Sequence, residues 1–183
     1  MKKWLLALGL TSALVIAGCN GGSGEEEGNA ESDSQTEEKD QGNDEQAIKK
    51  ELLNAQMNLK DTFKEYQAKI AAYEGAVSAE EPDVEAIKTA GEEALTEAQE
   101  AAEEAANYTV EADLSEDIKS QFQEAVTTSL KAYYEEVASA LEGNVEEADL
   151  STADEKFTEF NDKLGTIYEE VGLLTPNMKD ELS

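Results

Sequence analysis

The 183-residue chain has no histidine, and all 14 of its basic residues are lysine. It has one cysteine, Cys19, one tryptophan, Trp4, and two prolines. Each shortage removes a class of chemistry. Without an imidazole or a second thiol, Ser-His-Asp and Cys-His nucleophile pairs have no members. Histidine-based zinc, copper or haem ligation and thiolate clusters cannot be assembled either. A single cysteine has no intramolecular disulfide partner. Arginine forks and basic patches, the usual means of gripping phosphate, are missing from a chain of formal charge −29, which excludes nucleic acid as a partner. Runs of β-branched residues suited to strands are scarce, so no sheet is expected. Paired carboxylates could still do acid–base work as in glycosidases, but nothing singles out a pair among 43 acidic residues. No enzyme activity, catalytic residue, metal site or cofactor is therefore expected.

What is present is organised in three parts. Lys2-Lys3 is followed by an uncharged run of 14 residues from Trp4 to Ala17, ending in small residues. A basic start, a short apolar run and a small-residue cut site describe an export signal; a membrane-spanning helix needs roughly 20 apolar residues. Ile16-Ala17-Gly18-Cys19, aliphatic, small, small, cysteine, resembles a bacterial lipobox, and the chain looks like the small exported lipoproteins of Gram-positive bacteria. The resemblance covers residues 1–19 and is only general beyond them. It implies cleavage between Gly18 and Cys19, a diacylglyceryl group on the Cys19 thiol, and anchoring in the lipid bilayer on the extracytoplasmic face of the cell membrane. Two or three acyl chains give stable anchoring where one gives only marginal binding. Downstream of the cut, twelve lysines stand against 43 acidic residues, a formal charge of −31.

Residues 19–44 read as the lipidated cysteine and a disordered acidic linker: Glu, Asp, Ser, Gln, Asn and Gly dominate, and Ala30 is the sole aliphatic residue of Asn20–Asp44. Such a stretch cannot bury enough apolar surface to offset its ordering entropy. From Glu45 the pattern becomes helical. Ile48, Leu52, Ala55, Leu59, Phe63, Tyr66, Ile70, Tyr73 and Val77 keep one stripe on one face. A second segment, opening near Pro82-Asp83, has Val84, Ile87, Gly91, Ala94, Ala98, Ala101, Ala105 and Tyr108, small enough to bring a neighbouring helix close. A third runs through Leu114, Ile118, Phe122, Ala125, Val126, Leu130, Tyr133, Val137 and Leu141 to a stop at Gly143-Asn144, and a fourth through Phe157, Phe160, Leu164, Ile167 and Val171 to Gly172. The fold class is all-α: an antiparallel up-down four-helix bundle over residues 45–174, with 175–183 as a C-terminal tail. A three-helix arrangement, with the second helix detached or the fourth packed elsewhere, is the alternative.

Glu111-Ala-Asp-Leu-Ser115 recurs as Glu147-Ala-Asp-Leu-Ser151, each copy just before a helix. Asp113, Ser115, Ser151 and Thr152 are candidate N-caps, and the alternating ligands and central glycine of a calcium-binding EF-hand loop are absent. Tyr134 and Tyr168 neighbour stripe positions, are expected to be partly exposed, and are the first candidates for a partner surface. The polar faces carry glutamate where a membrane-lying helix would carry lysine, so only the acyl anchor should touch lipid. The sequence thus points to a non-enzymatic interaction or envelope module, with a cationic envelope protein as the favoured partner. A carrier of a small apolar ligand or of divalent cations is the alternative reading, and the oligomeric state stays open.

Overall fold

The structure, a computed structural model, describes residues 37–182, with side chains from Asp44 onward. Gly18, Cys19 and the linker up to residue 36 lie outside the described residues. The described chain is all-α, without a strand. Its elements are α1 (Glu37–Val77), α2 (Val84–Asn107), α3 (Glu116–Glu124), a π-helical segment (Ala125–Leu130), α4 (Lys131–Gly143), α5 (Ser151–Glu170) and α6 (Met178–Leu182). The first helix begins at Glu37, so residues 37–44 belong to α1 and not to the linker. Glutamates at a helix start interact favourably with the dipole, and extending an existing helix is far cheaper than nucleating one.

The helix ends follow local chemistry. Asp83 caps α2, its carboxylate accepting from the Glu85 and Ala86 amides at 2.9 and 3.2 Å. Ser115 caps α3 by accepting from Ile118 N at 3.4 Å. The second copy of the pentapeptide works differently. Leu150 occupies the cap position without a side-chain bond, and Asp149 accepts from Ser151 N at 3.0 Å. Past α5, Gly172 takes φ +70°, and the Gly172 and Leu173 amides donate back to Glu169 O and Tyr168 O at 3.0 and 2.8 Å. This paired return bond satisfies carbonyls orphaned at the helix end and suits the one residue without a Cβ penalty.

Packing places α2 against both α1 and α4, and α5 against α4, the π-helical segment and α3. Along α2, Ala94, Ala98, Ala101 and Ala105 are completely buried. At Gly91 a Cβ would stand 2.5 Å from Val145 Cγ1 and 3.3 Å from the Tyr73 ring, so this crossing needs glycine. The core between the helices is a chain of rings. Tyr108 and Phe63 lie 5.9 Å apart, Phe63 and Tyr134 are stacked at 5.8 Å, and Tyr134 and Tyr133 are tilted at 4.9 Å. Tyr133 then meets Phe157 edge-on at 5.0 Å, and Phe157 meets Phe160 at 5.7 Å.

The π-helical segment answers a spacing in the sequence. Ile118, Phe122, Val126, Leu130, Tyr134 and Ala138 fall every four residues. In an α-helix each such step overshoots a full turn by about 40°, so five steps would carry the stripe through roughly 200°. The wider π turn takes up the excess. All six residues therefore keep to the core side, with Ile118 only half-buried.

The expected tail is docked. Met178 and Leu182 are fully buried, α6 packs on α1, and Met178 N donates to Asn161 Oδ1 at 3.0 Å. Lys60–Glu181 (3.2 Å) and Lys179–Asp154 (2.9 Å) flank the contact. The periodic stripes give no sign of this, because five residues are too few to show a period. Leu182→Ala should lower unfolding stability by about 2 kcal/mol in a urea titration, where a residue in a loose tail would move it by less than about 0.5 kcal/mol.

Candidate partner-binding surfaces

Tyr134 and Tyr168 do not form a surface. They are 0 % and 1 % exposed, which corrects the expectation that both are partner-facing. For Tyr134 the cause is the π-helical shift, which turns residues 133 and 134 both inward. For Tyr168 it is the position of α5, which has a neighbour on two sides. The Tyr168 hydroxyl donates to Gln56 Oε1 at 2.8 Å and lies 3.3 Å from Leu52 O on α1. The paired tyrosines differ in their polar ends. Tyr133 meets the buried Gln67 amide, with its hydroxyl 2.9 Å from Nε2 and 3.1 Å from Oε1. The Tyr134 hydroxyl is buried with no hydrogen-bond partner.

Two surface regions differ in charge. On α2, Glu85, Glu92, Glu93, Glu100, Glu103 and Glu104 are exposed opposite the alanine seam. Burial first, then Glu104, Glu100, Glu97 and Glu65, push the half-buried Tyr66 hydroxyl above its ordinary pKa. Where α2 passes α4 there is a groove of about 450 Å³ lined by Gln99, Ala102, Glu103, Glu135, Ala138, Ser139 and Glu142. Small residues leave it open and three carboxylates line it. Gln99 Nε2 donates to Glu142 at 2.8 Å, and Lys131 pairs with Glu135 at 2.5 Å. Such a groove can accept lysine or arginine side chains.

The other region lies on α1, on the flank away from α2. Lys49, Leu53, Met57, Lys60 and Lys64 follow one another in steps of 4, 4, 3 and 4, with Lys50 three residues before Leu53. A stripe of lysine and exposed apolar residues went unread because it runs parallel to the core stripe and one residue out of phase with it. Its signal was the density of lysine: four of the twelve downstream of Cys19 fall within 16 residues.

Among the described residues no group of three or more His, Cys, Asp or Glu side chains is placed to hold a metal ion. None of the described helices is long and apolar enough to cross a membrane. Compared with protein-family models, curated proteins and solved structures, the chain matches none.

The tyrosines give two expectations. Tyr134→Phe removes a buried hydroxyl that bonds to nothing, so it should leave stability unchanged or raise it by up to about 1 kcal/mol. Tyr133→Phe strands the Gln67 amide and should cost about 1–3 kcal/mol. Paired urea titrations read the opposite signs. Burial also raises Tyr108 to about 12, and raises Tyr133, Tyr134 and Tyr168. In the unfolded chain these hydroxyls ionise near 10. The unfolded state therefore loses protons first, and stability that is complete below pH 10 falls as pH rises through the folded values. Thermal melts between pH 8 and 12 should show a flat region and then a decline beginning near pH 10.

Proposed function

We propose that the protein is a non-enzymatic, membrane-anchored lipoprotein on the extracytoplasmic face of the cell membrane. In this reading its helices form an antiparallel four-helix bundle that presents the acidic α2–α4 groove to a cationic envelope protein. The anchor rests on the lipobox-like Ile16–Cys19. The bundle reading is supported by the neighbour relations α1–α2, α2–α4 and α4–α5, together with the Tyr168–Leu52 contact that joins α5 to α1. The partner reading is carried by the groove itself, where Glu103, Glu135 and Glu142 surround a floor of alanine and serine. A ring-packed core favours this surface role over carriage of an apolar ligand.

The test uses the full chain in its membrane, with mass spectrometry at Cys19 to read the diacylglyceryl group. Binding of fluorescent polylysine is compared between the parent, Glu103→Gln/Glu135→Gln/Glu142→Gln, and a control that neutralises Glu85, Glu92 and Glu116. At about 0.5 kcal/mol per exposed charge, the groove variant should lose about tenfold in affinity. Equal losses in both variants would show that net charge alone, and not the groove, attracts the cation. Binding that persists at high salt would rule out electrostatic recruitment.

A further inference from the structure

The contacts that hold α6 do not require it to belong to the same chain. Its seat on α1 and α5 buries Met178 and Leu182 completely. Asn161 Oδ1 accepts from Met178 N at 3.0 Å, Lys60 pairs with Glu181 at 3.2 Å, and Asp154 pairs with Lys179 at 2.9 Å. Both ion pairs are open to water, so they orient α6 more than they hold it. A five-residue segment makes no stable helix alone, and two buried side chains are its main attachment. Detaching it is therefore a local opening that leaves the rest of the core in place. Whether α6 returns to its own bundle is decided in residues 171–177. The reversal uses Gly172 at φ +70°, with Leu173 N bonded back to Tyr168 O at 2.8 Å. The segment then passes so close to α5 that a Cβ at Gly165 would stand 2.8 Å from Thr175 Cγ2. Residues 173–177 adopt no regular structure, and Leu174 among them is 92 % exposed.

We infer that two copies of this chain exchange α6, each C-terminal helix filling the α1–α5 seat of the other. The seat itself fixes the occupant. A second copy brings the same two apolar side chains four residues apart, with Lys179 and Glu181 in register with Asp154 and Lys60, so the seat cannot tell that helix from its own. Reach is sufficient, because residues 171–177 span about 24 Å when extended. What differs between the closed and exchanged forms is the connecting segment. In the closed form it makes the glycine-dependent reversal and leaves Leu174 in water. In the exchanged form the reversal is released, and two-fold symmetry sets the two segments side by side, where each Leu174 meets its counterpart. Burying that pair offsets part of the freedom lost on association. The exchange is continuous with the docking of α6 on α1, and it does not depend on acylation of Cys19.

The test mixes two full-length variants without denaturant, Lys60→Cys in isotopically heavy protein and Glu181→Cys in light protein. A short bismaleimide is added, and mass spectrometry identifies the linked peptides and separates them from any link through Cys19. A heavy–light link between positions 60 and 181 reports the α6 of one copy on the α1 of another. Its yield should rise with protein concentration. It should exceed by at least about tenfold the yield from a control mixture of Lys60→Cys and Glu81→Cys, whose second cysteine lies in the exposed turn between α1 and α2. Adding Gly165→Ala, which crowds Thr175 and opposes the reversal, should raise the 60–181 yield. Leu174→Ser, a change at an exposed position that leaves the closed fold intact, should lower it, with far-UV circular dichroism unchanged. A 60–181 yield no higher than the control would overturn the inference. Equal growth of both links would overturn it too, because it marks side-by-side association without exchange. So would an unchanged yield in Leu174→Ser, a variant that keeps the test decisive even where Gly165→Ala does not fold.

Discussion

The structure depends on how closely α2 approaches its neighbours. A helix whose inward positions are Gly91, Ala94, Ala98, Ala101 and Ala105 offers little more than backbone and Cβ atoms, so α1 and α4 can both come near it. That closeness has two results. Large side chains are not needed on α2, and the rings contributed by α1, α4 and α5 fill the rest of the interior. The outward positions of α2 are then left for glutamate, because no further helix covers them. The acidic groove beside α4 is the outer margin of this close crossing. Core packing and surface charge are two sides of one constraint.

A second constraint acts along the rod formed by α3, the π-helical segment and α4. Five four-residue steps in succession cannot stay on one face of an α-helix, and the chain responds by widening one turn and not by exposing a ring. Tyr133 and Tyr134 thereby become neighbours in the core. One hydroxyl finds Gln67 and the other finds nothing, so the widened turn brings ring-stacking contacts at the cost of one unmatched polar atom.

Much of the architecture was legible in the chain. The small-residue stripe of α2, its start at Asp83, the stop at Gly143-Asn144 and the turn at Gly172 depend on neighbours close in sequence, and simple periodicity finds them. What escaped the sequence depends on partners distant in it. Tyr168 is buried by Leu52 and Gln56 on α1, more than a hundred residues away. The α2–α4 groove requires helices that are not consecutive to lie side by side. The lysine flank is masked in the sequence because it runs beside the apolar core stripe of the same helix, one residue out of phase with it. For α6, five residues carry no period, and burial of Met178 and Leu182 follows only once α1 is in place.

The docking of α6 has a bearing on how the fold comes together in time. Lys60 and Glu181 are 121 positions apart, so closing that contact encloses most of the described chain in one loop. Contacts of this span carry a large loop-closure entropy and slow the final step of assembly. A chain emerging amino-terminus first can form the hairpin of α1 and α2 early, but α1 keeps an uncovered seat until the last turn of helix arrives. Shedding a few carboxy-terminal residues would reopen that seat on the first helix. In this way α6 acts as a latch on the first described helix.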